Sequence, residues 1–189
     1  MADTIYIALR VDFMHWLRVI GVLQIVVLLQ VTVLPALEVR GSRPDLVLLV
    51  ALYIVVREPL RRRWRWHAFW VGWAAGLTAD VYSAGSHLPL GSTALVFGLL
   101  GIAMSKLGEE LFLGSAVAQA LILGAACLAA HGVLSAALIP LTRAPAGVIL
   151  RGALWTAGYS GLAAPLVFAA MRPFERFLGI RSRRSFGRA

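Results

Sequence analysis

Six apolar stretches dominate the sequence and decide which solvent this chain can fold in. They cover residues 17–37, 44–56, 66–82, 88–105, 111–141 and 149–171. Of the 189 residues, 60% are hydrophobic and only 14% are charged, whereas a soluble domain of this size has too much surface to hide that apolar fraction. Disorder is excluded as well, because disordered chains are poor in apolar residues. The sequence therefore predicts a protein that folds in lipid.

We interpret each stretch as a helix. A transmembrane helix needs about 20 mostly apolar residues, whereas the strands of a membrane barrel alternate apolar and polar residues. The run Val19–Leu29 is apolar on every face, which favours a helix. Stretch 44–56 is short, so full crossing, extension into 57–60 and a re-entrant segment all stay open. We predict an all-α integral membrane protein: a bundle of about six transmembrane helices in one domain, 1–189, with a basic cytoplasmic tail at 172–189.

The positions of the basic residues predict the orientation of the chain. With a cytoplasmic amino terminus, 14 of the 18 lysines and arginines lie on the inner side and 4 on the outer side. Basic residues accumulate in cytoplasmic loops. We therefore expect the bacterial cytoplasmic membrane, both termini in the cytoplasm and an even number of crossings, which supports counting the short second stretch.

The net charge of +9 follows from this bias, so it does not indicate that the protein binds nucleic acid. Basic clusters beside a membrane attract anionic lipid headgroups. We predict anionic phospholipids as partners of the arginines in the second loop and in the tail, where Phe174, Phe177 and Leu178 suit a segment lying on the inner leaflet. The arginines are Arg61, Arg62, Arg63, Arg65, Arg181, Arg183 and Arg184.

Two aspartates stand at the ends of predicted helices, where charge needs a reason. Asp45 follows Pro44 and suits an N-cap that accepts hydrogen bonds from the first turn, with partner binding as the alternative. Asp80 ends the third helix, where the helix dipole is already negative. We expect a salt bridge or hydrogen bond that locks it to a neighbouring helix. The candidate partners are Arg40, Arg43, His87, Arg143 and Arg151.

Other polar and small residues inside the apolar stretches predict contacts between helices. Isolated polar groups in lipid usually face other helices and form hydrogen bonds there, as we expect for Gln24, Gln30, Gln119 and His131. Small residues let helices approach closely, and here they suit packing that admits the single helix of a partner. These residues are Gly72, Gly76, Ala116, Ala120 and Gly124.

Residue types found in catalytic and metal-binding sites also occur in this sequence. The four histidines and one cysteine show no metal-ligand spacing, and no glycine-rich phosphate loop follows a strand, so we predict neither metal nor cofactor. Gly158-Tyr159-Ser160-Gly161 has the pattern found around the nucleophile of rhomboid-type intramembrane proteases, with His131 as a possible base. However, rhomboids place the histidine after the serine, and the polar residues of an oxyanion hole are missing.

Three short motifs in a fixed order carry a resemblance to a known family. Pro44-Asp45-Leu46 opens the second helix, and Gly76-Leu77-Thr78-Ala79-Asp80 ends the third. The turn Pro89-Leu90-Gly91 follows. With the basic loop between the first two motifs, this order resembles the rod shape-determining protein MreD family, over Arg43 to about Lys106. The arginine-rich tail and the tryptophan-rich start of the third helix depart from the family pattern.

The resemblance implies a non-enzymatic scaffold in the machinery that builds the lateral bacterial cell wall and controls cell shape. The implied direct partner is the single-pass protein MreC. MreB, RodA and the elongation transpeptidase belong to the same implied complex.

The family is also similar in fold to the six-helix substrate-binding subunits of energy-coupling-factor transporters. That likeness implies that Asp45, Asp80 and Pro89–Gly91 cluster where those subunits hold ligand. The alternative function is therefore a small-molecule-binding transport subunit, which predicts a partly polar cavity opening outward below Asp80. An intramembrane protease is the third hypothesis, and it requires contact between Ser160 and His131 with access to water.

Overall fold

Every regular element in the part of the chain that the structure describes is helical. The structure is a computed structural model, and it describes residues 2–38, 41–57, 65–82, 89–111, 116–142 and 145–178. The helices are α1 (Ala2–Thr32), α2 (Leu46–Arg57), α3 (Arg65–Tyr82), α4 (Ser92–Leu111), α5 (Ala116–Leu138), α6 (Ala146–Met171) and the single turn α7 (Glu175–Leu178). The first six correspond one to one with the six predicted stretches.

Prolines explain where two helices end earlier than predicted. The first stretch was expected to remain helical to residue 37 and the fifth to residue 141. Instead α1 ends at Thr32 and α5 at Leu138, each followed by a short 3₁₀ turn that contains Pro35 or Pro140. Proline lacks the amide hydrogen that an α-helix requires, so the chain tightens and leaves the helix.

The lengths of the helices identify a multi-pass membrane protein, but they differ widely. Three segments are long and apolar enough to cross a bilayer, namely Met14–Thr32, Ala120–Leu141 and Ala146–Leu178. Two apolar helices are shorter, Leu46–Arg57 and the Ser92–Leu107 part of α4. The prediction of six full crossings therefore goes beyond what length and composition establish.

The short helix α2 is the centre of the bundle. It has 12 residues, and all those from Val47 to Val55 are buried. It contacts α1, α3, α4, α5 and α6. Its apolar side chains point in every direction, which is the pattern of a helix enclosed by other helices. A helix of this length spans about 18 Å, well below the roughly 30 Å of hydrocarbon, so its ends lie within reach of polar groups from its neighbours.

Glycines bring α3 and α4 into very close contact. A Cβ atom on Gly72 would collide with the carbonyl oxygen of Phe97, and one on Gly76 would lie 2.5 Å from the Cα of Ala94. In the contact between α5 and α6, a Cβ atom on Gly124 would lie 3.5 Å from the Cα of Gly161.

This packing corrects one expectation. The faces of Gly72, Gly76 and Gly124 are filled by helices of the same chain, so they do not admit a partner's helix. Ala120 belongs to the same contact, because its carbonyl oxygen faces Gly161. The side chain of Ala116 lies outside the described part of the structure.

The carboxyl-terminal turn α7 folds back onto the start of the bundle. The carbonyl oxygen of Leu178 lies 2.9 Å from Nδ1 of His15, and Arg18 donates a hydrogen bond of 3.2 Å to the carbonyl oxygen of Phe177. Glu175 accepts a hydrogen bond from the hydroxyl of Tyr53 and pairs with Arg57 at 3.2 Å. The amino-terminal half of α1, the end of α2 and the end of the described chain therefore meet at one end of the bundle, called here the α7 end.

The position of Leu178 differs from the expectation for the tail. We predicted that Phe174, Phe177 and Leu178 lie together on the lipid surface. Phe174 and Phe177 are indeed exposed, but Leu178 is fully buried in the protein core, because the turn points it at the bundle. The tail arginines Arg181, Arg183 and Arg184 and the loop arginines Arg61, Arg62 and Arg63 lie outside the described residues, as does the side chain of Arg65.

The α3–α4 contact predicts that Gly76→Ala destabilises the fold. The added methyl group would meet the backbone of Thr93 and Ala94, which cannot move aside cheaply, so we expect a loss of about 1–3 kcal/mol in the free energy of unfolding. Unfolding in mild detergent, followed by circular dichroism, measures it. Gly132→Ala is the matched control, because no atom lies within 4 Å of the point where its added Cβ would stand. Equal stability of the two variants would contradict the close contact.

Candidate functional site

Asp45 caps the amino terminus of α2, as the sequence predicts. Its Oδ1 accepts a hydrogen bond of 3.0 Å from the amide of Leu48, and its backbone carbonyl accepts the first helical bond, from Leu49. The residue is buried, and Pro44 immediately before it is buried as well. The first-turn amides of a helix have no partner within the helix, so this cap is needed where water is excluded.

Two other helices supply the remaining partners at this terminus. The amide of Asp45 donates a hydrogen bond of 2.9 Å to the hydroxyl oxygen of Ser160 on α6, and the amide of Val47 donates one of 3.0 Å to Oε1 of Gln30 on α1. Three amides at the start of α2 are therefore satisfied by side chains, one from the cap residue itself and one each from α1 and α6. We call Gln30, Asp45, His131 and Ser160 the α2-cap cluster.

His131 brings α5 into the α2-cap cluster. Its Nε2 lies 3.2 Å from Oδ2 of Asp45, although the approach is not aligned as a directed hydrogen bond. The contact is therefore mainly electrostatic when the imidazole is protonated. Polar groups from α1, α2, α5 and α6 thus meet at one point.

The α2-cap cluster contains a serine, a histidine and an aspartate but is not arranged as a protease triad. In a triad the histidine lies between the serine and the carboxylate. Here the carboxylate of Asp45 contacts His131, while Ser160 accepts a hydrogen bond from the backbone of Asp45. Ser160 is 0% exposed, so water does not reach its hydroxyl. The arrangement satisfies buried backbone groups and offers no accessible nucleophile.

Asp80 links the second and third sequence motifs. Its Oδ2 accepts a hydrogen bond of 2.8 Å from the amide of Gly91, which confirms that a hydrogen bond holds the end of α3. The partner differs from the candidates proposed from the sequence. Arg43 and Arg151, the two candidates in the described part of the chain, form no ion pair with it. Arg40, His87 and Arg143 lie outside the described residues.

The Pro89-Leu90-Gly91 turn is shaped to present that amide. Gly91 has φ of +95°, a conformation that residues with a side chain avoid. The amide and the hydroxyl of Ser92 both donate to the carbonyl oxygen of Pro89, at 3.1 and 2.8 Å. The turn therefore fixes the direction in which α4 starts, and Asp80 holds it against α3.

The structure separates the sequence motifs into two groups. Leu46 starts α2 beside the α2-cap cluster, whereas Gly76, Asp80 and Pro89–Gly91 form the α3–α4 connection. The expectation that Asp45, Asp80 and Pro89–Gly91 surround a shared ligand place stays untested.

Polar residues inside apolar stretches proved informative. Gln30 and His131 face other helices, and Gln24 accepts a hydrogen bond of 3.3 Å from the hydroxyl of Tyr82, as the sequence predicts. The side chain of Gln119 lies outside the described part. Sequence reasoning missed the contact of Tyr53 and Arg57 with Glu175, because nothing in a polar tail signals that it folds back. No cluster of potential metal ligands occurs among the described residues.

The α2-cap cluster predicts graded effects of substitutions at Asp45. Asn keeps an oxygen for the amide of Leu48 but loses the charge that faces His131, whereas Ala loses both. We expect Asp45→Ala to lower the free energy of unfolding by about 2–3 kcal/mol and Asp45→Asn by less than half of that. Denaturant titration in detergent measures the order. Glu38→Ala, at an exposed carboxylate, is the control, and an Asn variant as unstable as the Ala variant would contradict the cap.

The Asp80–Gly91 bond predicts a different pattern at the α3–α4 connection. Asp80→Asn keeps an acceptor for the Gly91 amide and should stay close to the original stability, whereas Asp80→Ala should lose about 1 kcal/mol. Gly91→Ala strains the turn, and its effect should be less than additive with Asp80→Ala, because both break one contact. Thermal unfolding of the two single variants and the double variant tests this. Unchanged stability of both Asp80 variants would contradict it.

Comparison with known proteins identifies the family of this chain. The family model of the rod shape-determining protein MreD matches residues 12–177, which include every helix from α2 to α6 and all three sequence motifs. No curated protein and no solved structure matches the chain. On the strength of the family match, the chain belongs to the MreD rod shape-determining protein family, and its role lies in determining rod shape.

Proposed function

We propose that this chain is a non-enzymatic membrane scaffold of the bacterial cell-elongation complex. In this proposal it binds MreC directly and, through that complex with MreB, RodA and the elongation transpeptidase, supports lateral peptidoglycan synthesis. Membership of the MreD family supports the biological setting. None of the loops between the six helices is long enough to fold alone, which fits a function that the helix bundle itself performs.

One structural observation carries the proposal. The α2-cap cluster gathers the polar side chains that would be needed for chemistry, and its described contacts hold helices together. Ser160 is buried against the backbone of Asp45, and Asp45 binds Leu48 and His131. A side chain that satisfies a buried amide is not free to attack a substrate. The cluster therefore fits a rigid bundle that presents its outer surface to partners.

The proposal includes six crossings with both termini in the cytoplasm. The start of the apolar span Met14–Thr32 of α1 and the turn α7 meet at one end, as an even number of crossings requires. The basic residues of the second loop and the tail then lie on the side that carries anionic lipid, where they attract headgroups. The α2-cap cluster and Asp80 accordingly lie toward the outer face.

A transport subunit is the alternative, and it requires a partly polar cavity below Asp80. The groove that the described residues form between α1, α2 and α6 has entirely apolar walls, so this groove does not suit a water-soluble substrate.

Affinity purification in a gentle detergent, followed by mass spectrometry, tests the scaffold function. We expect the tagged chain to recover MreC, and we expect no enrichment of ATPase subunits. Recovery of ATPase subunits in place of MreC would contradict the proposal and favour the transporter.

A matched variant separates the scaffold from the protease hypothesis. Ser160→Ala removes the hydroxyl but leaves the outer surface unchanged. In cells that lack the original protein, the variant should restore rod shape in proportion to the amount of folded protein in the membrane. Ser92→Ala is the control. A loss of shape control by Ser160→Ala alone, at normal protein levels, would instead indicate that Ser160 is a nucleophile.

A further inference from the structure

We propose that the apolar groove between α1, α2 and α6 holds one acyl chain of an anionic phospholipid whose headgroup binds the arginines at the α7 end. This inference concerns a defined site in the described helices, distinct from the loop and tail arginines predicted from the sequence. It rests on the proposed function only in placing the α7 end at the inner leaflet.

The groove is apolar along its whole depth. It has a volume of about 240 Å³, and no polar atom lines it. The buried side chains of Val22, Val26 and Val50 form its floor, while Ile25, Leu29 and Phe174 are exposed at its rim. An apolar surface of this kind has a lower free energy in contact with hydrocarbon than in contact with water.

Hydrogen bonds connect the α1 side of the groove with the α6 side at both ends of the groove. Toward the outer end, the hydroxyl of Tyr159 on α6 donates to the carbonyl oxygen of Leu37, just after α1. At the α7 end, Arg18 donates to the carbonyl oxygen of Phe177. The walls are therefore held apart at a fixed spacing, and the gap between them opens only to the side.

The two joined ends of the groove select a lipid chain over a helix of a partner protein. The groove runs along α1 from Val22 to Leu29, a rise of about 10 Å. A transmembrane helix is about 30 Å long and would have to pass both joined ends, whereas a flexible polymethylene chain enters from the side.

The charge at the α7 end matches an anionic headgroup. Arg172 and Arg176 are exposed beside Phe174, where the groove ends, and Arg18 lies one turn from Val22 on α1. Glu175, the acid of the α7 turn, is already paired with Arg57 and hydrogen-bonded to Tyr53. A phosphate at this level meets basic side chains and an acid that is already neutralised.

Native mass spectrometry of the full-length protein, released from detergent with added phosphatidylglycerol or phosphatidylcholine, tests the site. Ala170 lines the groove and is exposed, so Ala170→Phe fills the groove without disturbing the core. The ring displaces several methylene groups, so we expect the affinity for the first phosphatidylglycerol to fall by at least about tenfold. Ala169→Phe, at an exposed neighbour that does not line the groove, is the matched control and should bind normally.

A second pair of variants tests the headgroup independently of the groove. Arg172→Gln with Arg176→Gln should reduce the preference for phosphatidylglycerol over phosphatidylcholine by about fivefold for each arginine. Arg151→Gln, at the opposite end of α6, should not change it.

Two outcomes would overturn the proposal. One is equal lipid binding by the Ala170→Phe and Ala169→Phe proteins. The other is normal lipid binding by Ala170→Phe with loss of a single-pass partner from purification, which would make the groove a protein-docking surface. Either result leaves the recovery of MreC by the original chain intact, so failure of the lipid site is distinguishable from failure of the scaffold function.

Discussion

The backbone amides at the start of α2 impose the constraint on which this structure depends. A helix enclosed on all sides by other helices begins where water cannot hydrogen-bond its first turn, and an unpaired buried amide costs about 1–3 kcal/mol. The protein satisfies these amides with Asp45 itself, with Gln30 from α1 and with Ser160 from α6. Since Gln30 and Ser160 belong to two other helices, satisfying the terminus of α2 also fixes the positions of α1 and α6.

The same logic operates at the other end of α2. Tyr53 and Arg57 reach Glu175, which lies more than 100 residues later in the sequence. The helix α2 is too short to place both ends in water, and α7 folds back so that Glu175 contacts its carboxyl-terminal end. The central helix is thus held at both ends by the chain that surrounds it, and the long helices α1 and α6 take their places as its walls. The Asp80–Gly91 bond performs a similar task for α3 and α4.

The sequence predicted the existence and order of the six helices because their apolar stretches are long and separated by prolines, glycines or charges. It also predicted the cap at Asp45 and the inward-facing Gln30 and His131, since a polar group in lipid must find a partner. The central position of α2 was harder to foresee. Its shortness suggested an incomplete crossing, and only the packing shows that five helices enclose it. Three further features depend on contacts distant in the sequence: the Gly91 amide as the partner of Asp80, the filling of the Gly72 and Gly76 faces by α4, and the fold-back of α7.

Lipid changes what a polar cluster does for a fold. Helices in a membrane gain little from hiding apolar surface, because lipid tails are as apolar as leucine. Close approach at glycines and hydrogen bonds between helices therefore decide which faces meet, and in this chain they lie at α3–α4, at α5–α6 and around α2. The cluster of Asp45, His131 and Ser160 disfavours alternative packings, since another arrangement leaves the buried amides of Asp45 and Leu48 unpaired. The constant shape of this bundle therefore comes from contacts between its helices.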